Sequence, residues 1–273
     1  MNTALIGATA GAVFGLIGVL VGQYLTQRRH SEALRQTAEL EEQRANQAAL
    51  LKFFELGGQL LREPSEADYL GPIIRAQTLT LLEVLEPGHK RILLQFLYES
   101  GLLGPEKPGF GLQGANLERA NLAEANLAEA NLERVLLQRA NLLEANLAGA
   151  NLREANLERA NPLEANLAGA NLAEANLLDA NLRKAKLEEA HLVGANLAGA
   201  NLRGTNLGRA NLERANLAEA HLKEADLSGA FLQEITKERL TQTQIDEALG
   251  NDATKLPDHL QRPPHWRRSG RKS

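Results

Sequence analysis

The side chains best suited to chemistry are sparse in this chain and poorly placed for it. Six histidines are present and cysteine is absent. That removes thiolate metal sites, disulfides, iron–sulfur clusters and a cysteine nucleophile. His191 and His221 each stand where asparagine otherwise recurs, thirty residues apart, and the six histidines show no metal-ligand spacing. No glycine-rich phosphate loop, nucleophile elbow or paired carboxylate set is present. Glutamate is abundant but interleaved with arginine, the pattern of a solvated face. The expectation is therefore no enzyme, no cofactor and no metal. Thirty Lys and Arg stand against 34 Asp and Glu, for a formal net charge of −4, and 4% of residues are aromatic. Such a balance does not coat nucleic acid, and so few aromatic rings build no base-stacking platform. What remains are candidate interaction surfaces, and their meaning depends on the element that carries them.

That element announces itself from Gly111 onward as ANLER-ANLAE-ANLAE. Leucine recurs at spacing five from Leu112 to Leu232, giving 25 centres of which only Pro162 is not leucine. Alanine usually stands two residues before each centre and asparagine one before. On a helix, each step of five rotates the side chain by about 140°, so the leucines scatter around the circumference. On a continuous strand, side chains alternate with period two, so an odd step sends successive leucines to opposite faces. A short extended piece followed by a corner does bury them together: Ala and Leu, two apart, point the same way, and the corner resets the direction. Asparagine before leucine suits such a corner, because it tolerates unusual backbone angles and bonds to nearby backbone.

Residues 110–234 resemble the pentapeptide repeat family, whose motif is A-(N/D)-L-x-x. The resemblance implies a mainly β solenoid, a right-handed, four-sided β-helix with four pentads per coil. Twenty-five pentads then make about six coils, a rod about 30 Å long at ~4.8 Å between paired strands. Leucine stacks on leucine inside, alanine fills the tighter inward position, and Glu, Arg, Ala and Gly face out. The stretch after the rod (Leu240-Thr241, Gln244-Ile245-Asp246, Thr254, Leu256-Pro257, Pro264-His265-Trp266) also resembles family members. A helix over 237–249 is expected to cap the open edge, which otherwise invites edge-to-edge pairing.

With twenty residues per coil, departures from the repeat fall into columns. Leu143 and Leu163 become stacked outward neighbours, with Ala123 below and Arg183 above. Val135-Leu136-Leu137 replaces Ala-Asn-Leu and puts Leu136 outside. Leu136, Leu143 and Leu163 are the candidate partner-binding residues; a strip this small is also common on ordinary surfaces. Ala148-Gly149 and Ala168-Gly169 stack as a flat small-residue face. His191 and His221 fall on opposite sides and share no ligand. Pro162 removes one ladder N–H.

The N-terminal segment has a different character. Ala4 to Gly22 contains Thr9 as its only polar side chain, and no charged side chain precedes Arg28. About twenty apolar residues cross a ~30 Å hydrocarbon core as a helix, so 1–27 is expected to be a transmembrane anchor. A cleaved signal peptide calls for a basic start, a shorter apolar run and an A-x-A site after it; the start carries no Lys or Arg, the run is too long, and no A-x-A follows Gly22. Arg28, Arg29, Arg35 and Arg44 follow the span and place the rod on the cytoplasmic side. The resulting expectation is a bacterial inner membrane, or an internal photosynthetic membrane where the host has one. Gly7, Gly11 and Gly15, and Gly18 and Gly22, are spaced by four, so this strip is a candidate for helix packing and homo-oligomerisation. Glycine is also simply common in spans.

Residues 28–63 read as a juxtamembrane helix, without sustained heptads. Residues 64–109 read as a small helical module covering the N-terminal end of the rod. One helix begins at Ser65, and Gly71-Pro72 breaks and restarts it. The next helix, carrying Ile92, Leu93, Phe96 and Leu97, stops at Gly101. The end of the chain, 237–273, joins the capping helix to a tail, and 261–273 holds five basic and no acidic residues. That is the composition of a segment that touches anionic lipid or phosphate, or of a plain solubilising end.

Together these features point to a non-enzymatic, single-pass membrane-anchored scaffold whose rigid rod meets an unknown protein partner. The alternative is a DNA-mimic inhibitor of a type II topoisomerase, as some pentapeptide repeat proteins are. Residues 110–234 carry 17 acids and 12 bases with interleaved signs, which departs from the continuous acid of a duplex mimic.

Overall fold

The computed structural model describes residues 67–103, 111–266 and, before them, 32, 34–38, 40, 41, 43–55 and 58. The expected span over 1–27, with Gly7, Gly11, Gly15, Gly18 and Gly22, lies outside the described residues. Among those that are described, no helix is long and apolar enough to cross a membrane. The chain divides into two compact units, Met1–Leu51 and Lys52–Ser273. In the first, every described residue is helical. The second carries the repeat.

From 111 onward each pentad makes the same three moves. The Asn-position residue is extended and pairs in parallel with the residue twenty further on, as Asn126 with Asn146 and Asn146 with Asn166. The leucine points inward. The chain then turns, and the N–H of the next alanine donates to the leucine carbonyl, as Ala130 to Leu127 at 3.2 Å. The 20-residue step means four pentads per coil. Each rung is a single-residue bridge rather than a full strand, because a corner interrupts the chain every five residues. Three backbone bonds per regular pentad join successive coils. For the pentad of Leu147 these are Asn146 N–H to Ala125 at 2.9 Å, Leu147 N–H to Asn166 at 2.7 Å, and Gly149 N–H to Ala168 at 2.9 Å.

The leucine and alanine columns fill the interior. Every leucine centre is at most 1% exposed and every alanine two residues before a centre at most 4%. Each leucine stabilises the fold by about 1.5–3 kcal/mol relative to exposure. Thr205 replaces an alanine at no cost in unmet polarity, since its hydroxyl donates to the Leu182 carbonyl at 2.7 Å.

The corner differs from expectation in one respect. The unusual backbone angle belongs to the second residue after leucine, not to asparagine. All 25 such positions have φ between 54° and 72°, and 18 of them are Glu, Arg, Asp or Lys rather than glycine. A positive φ at the third residue is the signature of a type II turn. Asparagine stays extended and does two other jobs. Asn141 Oδ1 accepts from the Leu143 N–H at 3.3 Å and from Asn161 Nδ2 at 3.3 Å, so the side chain braces its own turn and the neighbouring coil.

Two helices precede the rod. Helix α1 spans Ala67–Val84 and buries Ile74, Thr78, Leu81 and Leu82, the i, i+4, i+7, i+8 stripe of an amphipathic helix. It runs through Pro72 without a break, contrary to the expected restart. Proline so near the N-terminus forfeits one backbone bond, and the packed stripe that follows holds the helix together. Helix α2 spans Pro87–Glu99 and ends in a Schellman arrangement: Leu102 N–H to Leu97 and Gly101 N–H to Tyr98, both 2.9 Å, with Gly101 at φ 66°.

The C-terminal end also corrects expectation. Helix α3 covers only Gln242–Asp246, not 237–249. The chain then returns to extended rungs: Leu249 pairs with Asp226 and Lys255 with Phe231. The last coil presents backbone donors and acceptors that an extended chain satisfies and a helix cannot. The tail is not free throughout, since Trp266 is 6% exposed and its indole N–H donates to the Ala248 carbonyl at 3.0 Å. The basic stretch beyond 266 lies outside the described residues.

Candidate interaction surface

Two sets of side chains could meet a ligand: those sealing the ends of the rod and those lining its corners. At the N-terminal end the seal is polar. Arg75 on α1 donates through Nε to the Gly111 carbonyl at 2.9 Å and through Nη2 to Gln113 at 3.2 Å. Lys90 on α2 donates to the Asn116 carbonyl at 3.1 Å, and Asn116 Nδ2 donates to Glu83 at 3.0 Å. Asn121 N–H reaches the Pro87 carbonyl at 3.3 Å. These groups occupy backbone positions that would otherwise pair with a preceding coil. Lys90 is 6% exposed. Burial lowers its pKa below the ordinary lysine value, partly opposed by Glu83 and Glu118. Sequence reasoning missed Arg75, Glu83 and Lys90 as a set, because a single charged residue on a helix carries no periodic signal. Only the run His89-Lys90-Arg91 inside an otherwise apolar helix hints at it.

At the other end Gln244 does comparable work. Its amide oxygen accepts from Thr241 N–H at 2.9 Å, closing a capping box. Its Nε2 donates to the carbonyls of Leu217 at 2.7 Å and Ala220 at 3.0 Å.

The outward candidates do not form one patch. Leu143 and Leu163 are stacked, since Glu144 N–H donates to the Leu163 carbonyl at 2.9 Å, and both are half-buried. Leu136, 38% exposed, lies in the column of Asn116 and Asn156 on the preceding face and does not join them. His191 pairs with Asn171 and Asn211, and His221 with Asn201, on opposite faces. Among the described residues no group of His, Asp or Glu is arranged to hold a metal ion.

Besides Lys184 with Glu164 at 3.4 Å on the corner of Leu143 and Leu163, three corners carry ion pairs between coils. On one, Arg134 meets Glu154 at 2.7 Å, while Arg153 meets Glu154 at 2.7 Å and Glu133 at 3.8 Å. The Arg134 guanidinium holds the Glu154 carboxyl below its ordinary pKa through a direct hydrogen bond. On the other two, Arg159 meets Asp179 at 3.5 Å and Arg209 meets Glu189 at 3.0 Å. All of these pairs are solvent-facing and contribute little each. Away from the rod, a 480 Å³ open hollow is lined by Phe54, Arg91, Ile92, Gln95, Phe96 and Glu99, where the Phe54 and Phe96 rings lie 4.7 Å apart at a 50° tilt.

The irregular rung is visible in the bonding. Pro162 has no N–H for the Asn181 carbonyl, and the Asn161–Asn181 bridge is missing from an otherwise regular column. Asn181 Oδ1 is buried without a hydrogen-bond partner among the described residues, as is Gln138 Oε1.

Comparison with known proteins adds the following. The sequence profile of pentapeptide repeats matches in eight copies, over residues 112–139, 130–161, 164–199 and 195–233. Among solved structures, HetL, a pentapeptide repeat protein involved in heterocyst differentiation regulation from the cyanobacterium Nostoc sp. strain PCC 7120, is 30% identical. The match covers 52% of this chain and 70% of HetL, with a TM-score of 0.29. Rfr23, a pentapeptide repeat protein from the cyanobacterium Cyanothece 51142, is 35% identical over 41% of this chain and 63% of its own, with a TM-score of 0.20. QnrB1, a plasmid-mediated fluoroquinolone resistance protein, is 14% identical over 56% of this chain and 82% of its own, with a TM-score of 0.39. No curated protein matches the chain.

Proposed function

The chain belongs to the pentapeptide repeat family, and on that premise we propose that it is a non-enzymatic scaffold, tethered to a membrane by residues 1–27, whose rod presents a rigid side surface to a protein partner. One observation carries the scaffold reading. The interior of the rod is filled by its leucine and alanine columns, so its charged side chains all face outward on a backbone pinned to its neighbours three times per regular pentad. Right-handed winding follows from the family. The tether rests on the apolar run Ala4–Gly22 and the arginines after it, which also favour a cytoplasmic rod at a bacterial inner or internal photosynthetic membrane. Inhibition of a topoisomerase by duplex mimicry is not favoured, because basic columns and ion pairs interrupt the acidic surface.

Two experiments test this. Deleting residues 1–27 moves the chain from the membrane pellet to the soluble fraction; a full-length chain that is already soluble refutes the tether. Proximity labelling in the host, with the enzyme fused after Ser273, enriches a discrete protein set. Labelling no different from an untethered control refutes the scaffold. Inhibition of DNA supercoiling by the purified chain would promote the mimic reading instead.

A further inference from the structure

The fourth corner of the rod separates its charges into an acidic half and a basic half. It is built from the two residues after each leucine in one column, tied rung to rung by backbone bonds: Glu124 N–H to Leu143, Glu144 to Leu163, Glu164 to Arg183, Lys184 to Arg203 and Gly204 to Lys223, all 2.8–3.0 Å. From the N-terminal end, its six rungs are Ala123-Glu124, Leu143-Glu144, Leu163-Glu164, Arg183-Lys184, Arg203-Gly204 and Lys223-Glu224. The first three rungs each carry one negative charge. The next two carry two positive charges and one, and the last is balanced. All the charged side chains on this corner are exposed. Among the described residues its only ion pair joins the two halves where they meet, Lys184 to Glu164 at 3.4 Å. Among the described residues, Glu124, Glu144, Arg183, Arg203 and Lys223 have no ion-pair partner. At ~4.8 Å per rung the charged edge is about 24 Å long.

We propose that this corner is a homotypic contact: two copies of the rod pair side by side and antiparallel through it. A two-fold axis between the third and fourth rungs is the arrangement that makes the edge self-complementary. It sets Leu163-Glu164 opposite Arg183-Lys184, and Leu143-Glu144 opposite Arg203-Gly204, each twice. The outermost rung, Ala123-Glu124, meets the balanced Lys223-Glu224. The exposed sides of Leu143 and Leu163 then lie against the aliphatic stems of the facing arginines, which bury readily along apolar surface. Parallel alignment puts like charge on like and is rejected. The edge is narrow compared with a standard interface, so pairing is weak and falls with salt. Neither the membrane tether nor the external partner is needed for it: a rod that stays single still offers its other corners, and a soluble rod can still pair.

The test uses charge reversal in the full-length chain. Arg183→Glu with Arg203→Glu makes the edge acidic; Glu144→Arg with Glu164→Arg makes it basic. Both pairs use residues the fold already accepts at equivalent positions, glutamate at 133 and 158 and arginine at 134 and 139, and circular dichroism confirms folding. Sedimentation equilibrium is measured at about 10 mM and about 1 M salt, where the Debye length is about 30 Å and 3 Å. The natural chain dimerises more strongly at low salt. Each variant alone dimerises at least about tenfold more weakly, and an equimolar mixture of the two regains a dimer. Any association through residues 1–27 is common to all samples and cancels in the comparison. A natural chain without salt-dependent association overturns the proposal, as does a mixture that stays monomeric. So does a monomeric natural chain whose Arg183 and Arg203 bind inorganic polyphosphate, which would make the basic half an anion site.

Discussion

Replacing Pro162 by leucine should stabilise the rod, because this rung lacks the inter-coil bond that Leu142, Leu147 and Leu182 make through their N–H. The substitution supplies an N–H to the Asn181 carbonyl, worth about 1 kcal/mol. It also buries about one more methylene between Leu142 and Leu182, worth about 0.8 kcal/mol. Against this, losing proline releases conformational freedom in the unfolded chain, at about 0.4–1 kcal/mol. The net gain is about 1 kcal/mol. The neighbouring inter-coil bond shows that the column has room to tighten: Leu142 N–H to Asn161 is 3.0 Å, where Leu147 N–H to Asn166 is 2.7 Å. Urea unfolding measures the gain, and hydrogen exchange localises it to 142, 161–165 and 181–184, since each coil contacts only its neighbours. Thermal unfolding should rise by about 2–4 °C. Destabilisation by 1 kcal/mol or more would refute the reasoning, since it would mean that the column is shaped around proline.

Three further outcomes follow from particular bonds. Lys90→Met should remove a pH dependence: burial lowers the folded pKa of Lys90 beneath its unfolded value, so the unfolded chain binds more protons between the two, and natural stability rises with pH in that window below 10.5. The difference between natural and variant unfolding free energies across that window should show a rise carried by the natural chain alone. Gly169→Ala should cost about 1–2 kcal/mol in urea unfolding from backbone strain, because φ is +65° while the new methyl meets nothing within 4 Å. Gln244→Ala should leave the Ala220 carbonyl unpaired and strip one of two donors from the Leu217 carbonyl, which keeps the Ala220 N–H, at a cost of about 2 kcal/mol. Hydrogen exchange should show the last coil opening while residues 112–160 stay protected.

The solenoid was legible in the sequence because burial follows directly from period. Neither a helix nor a strand gathers every fifth residue on one side, so the leucines from Leu112 to Leu232 demanded a corner per pentad, and all prove buried. The asparagine and the corner were only half legible. Composition pointed to asparagine as the strained residue, yet the positive φ falls on charged residues such as Arg134 and Glu154. That choice depends on the turn's hydrogen bond and the neighbouring coil, which the pentad alone does not contain. The ends were decided by tertiary structure. Arg75 and Lys90 act on carbonyls 26 to 38 residues away, and Leu249 and Lys255 become rungs without any repeat motif, because the open edges of a solenoid bind whatever chain supplies backbone-matching donors and acceptors. The charge of the fourth corner is likewise invisible along the chain, where acids and bases alternate. It separates into halves only when residues twenty apart are stacked, since Coulomb's law counts distance in space rather than in sequence.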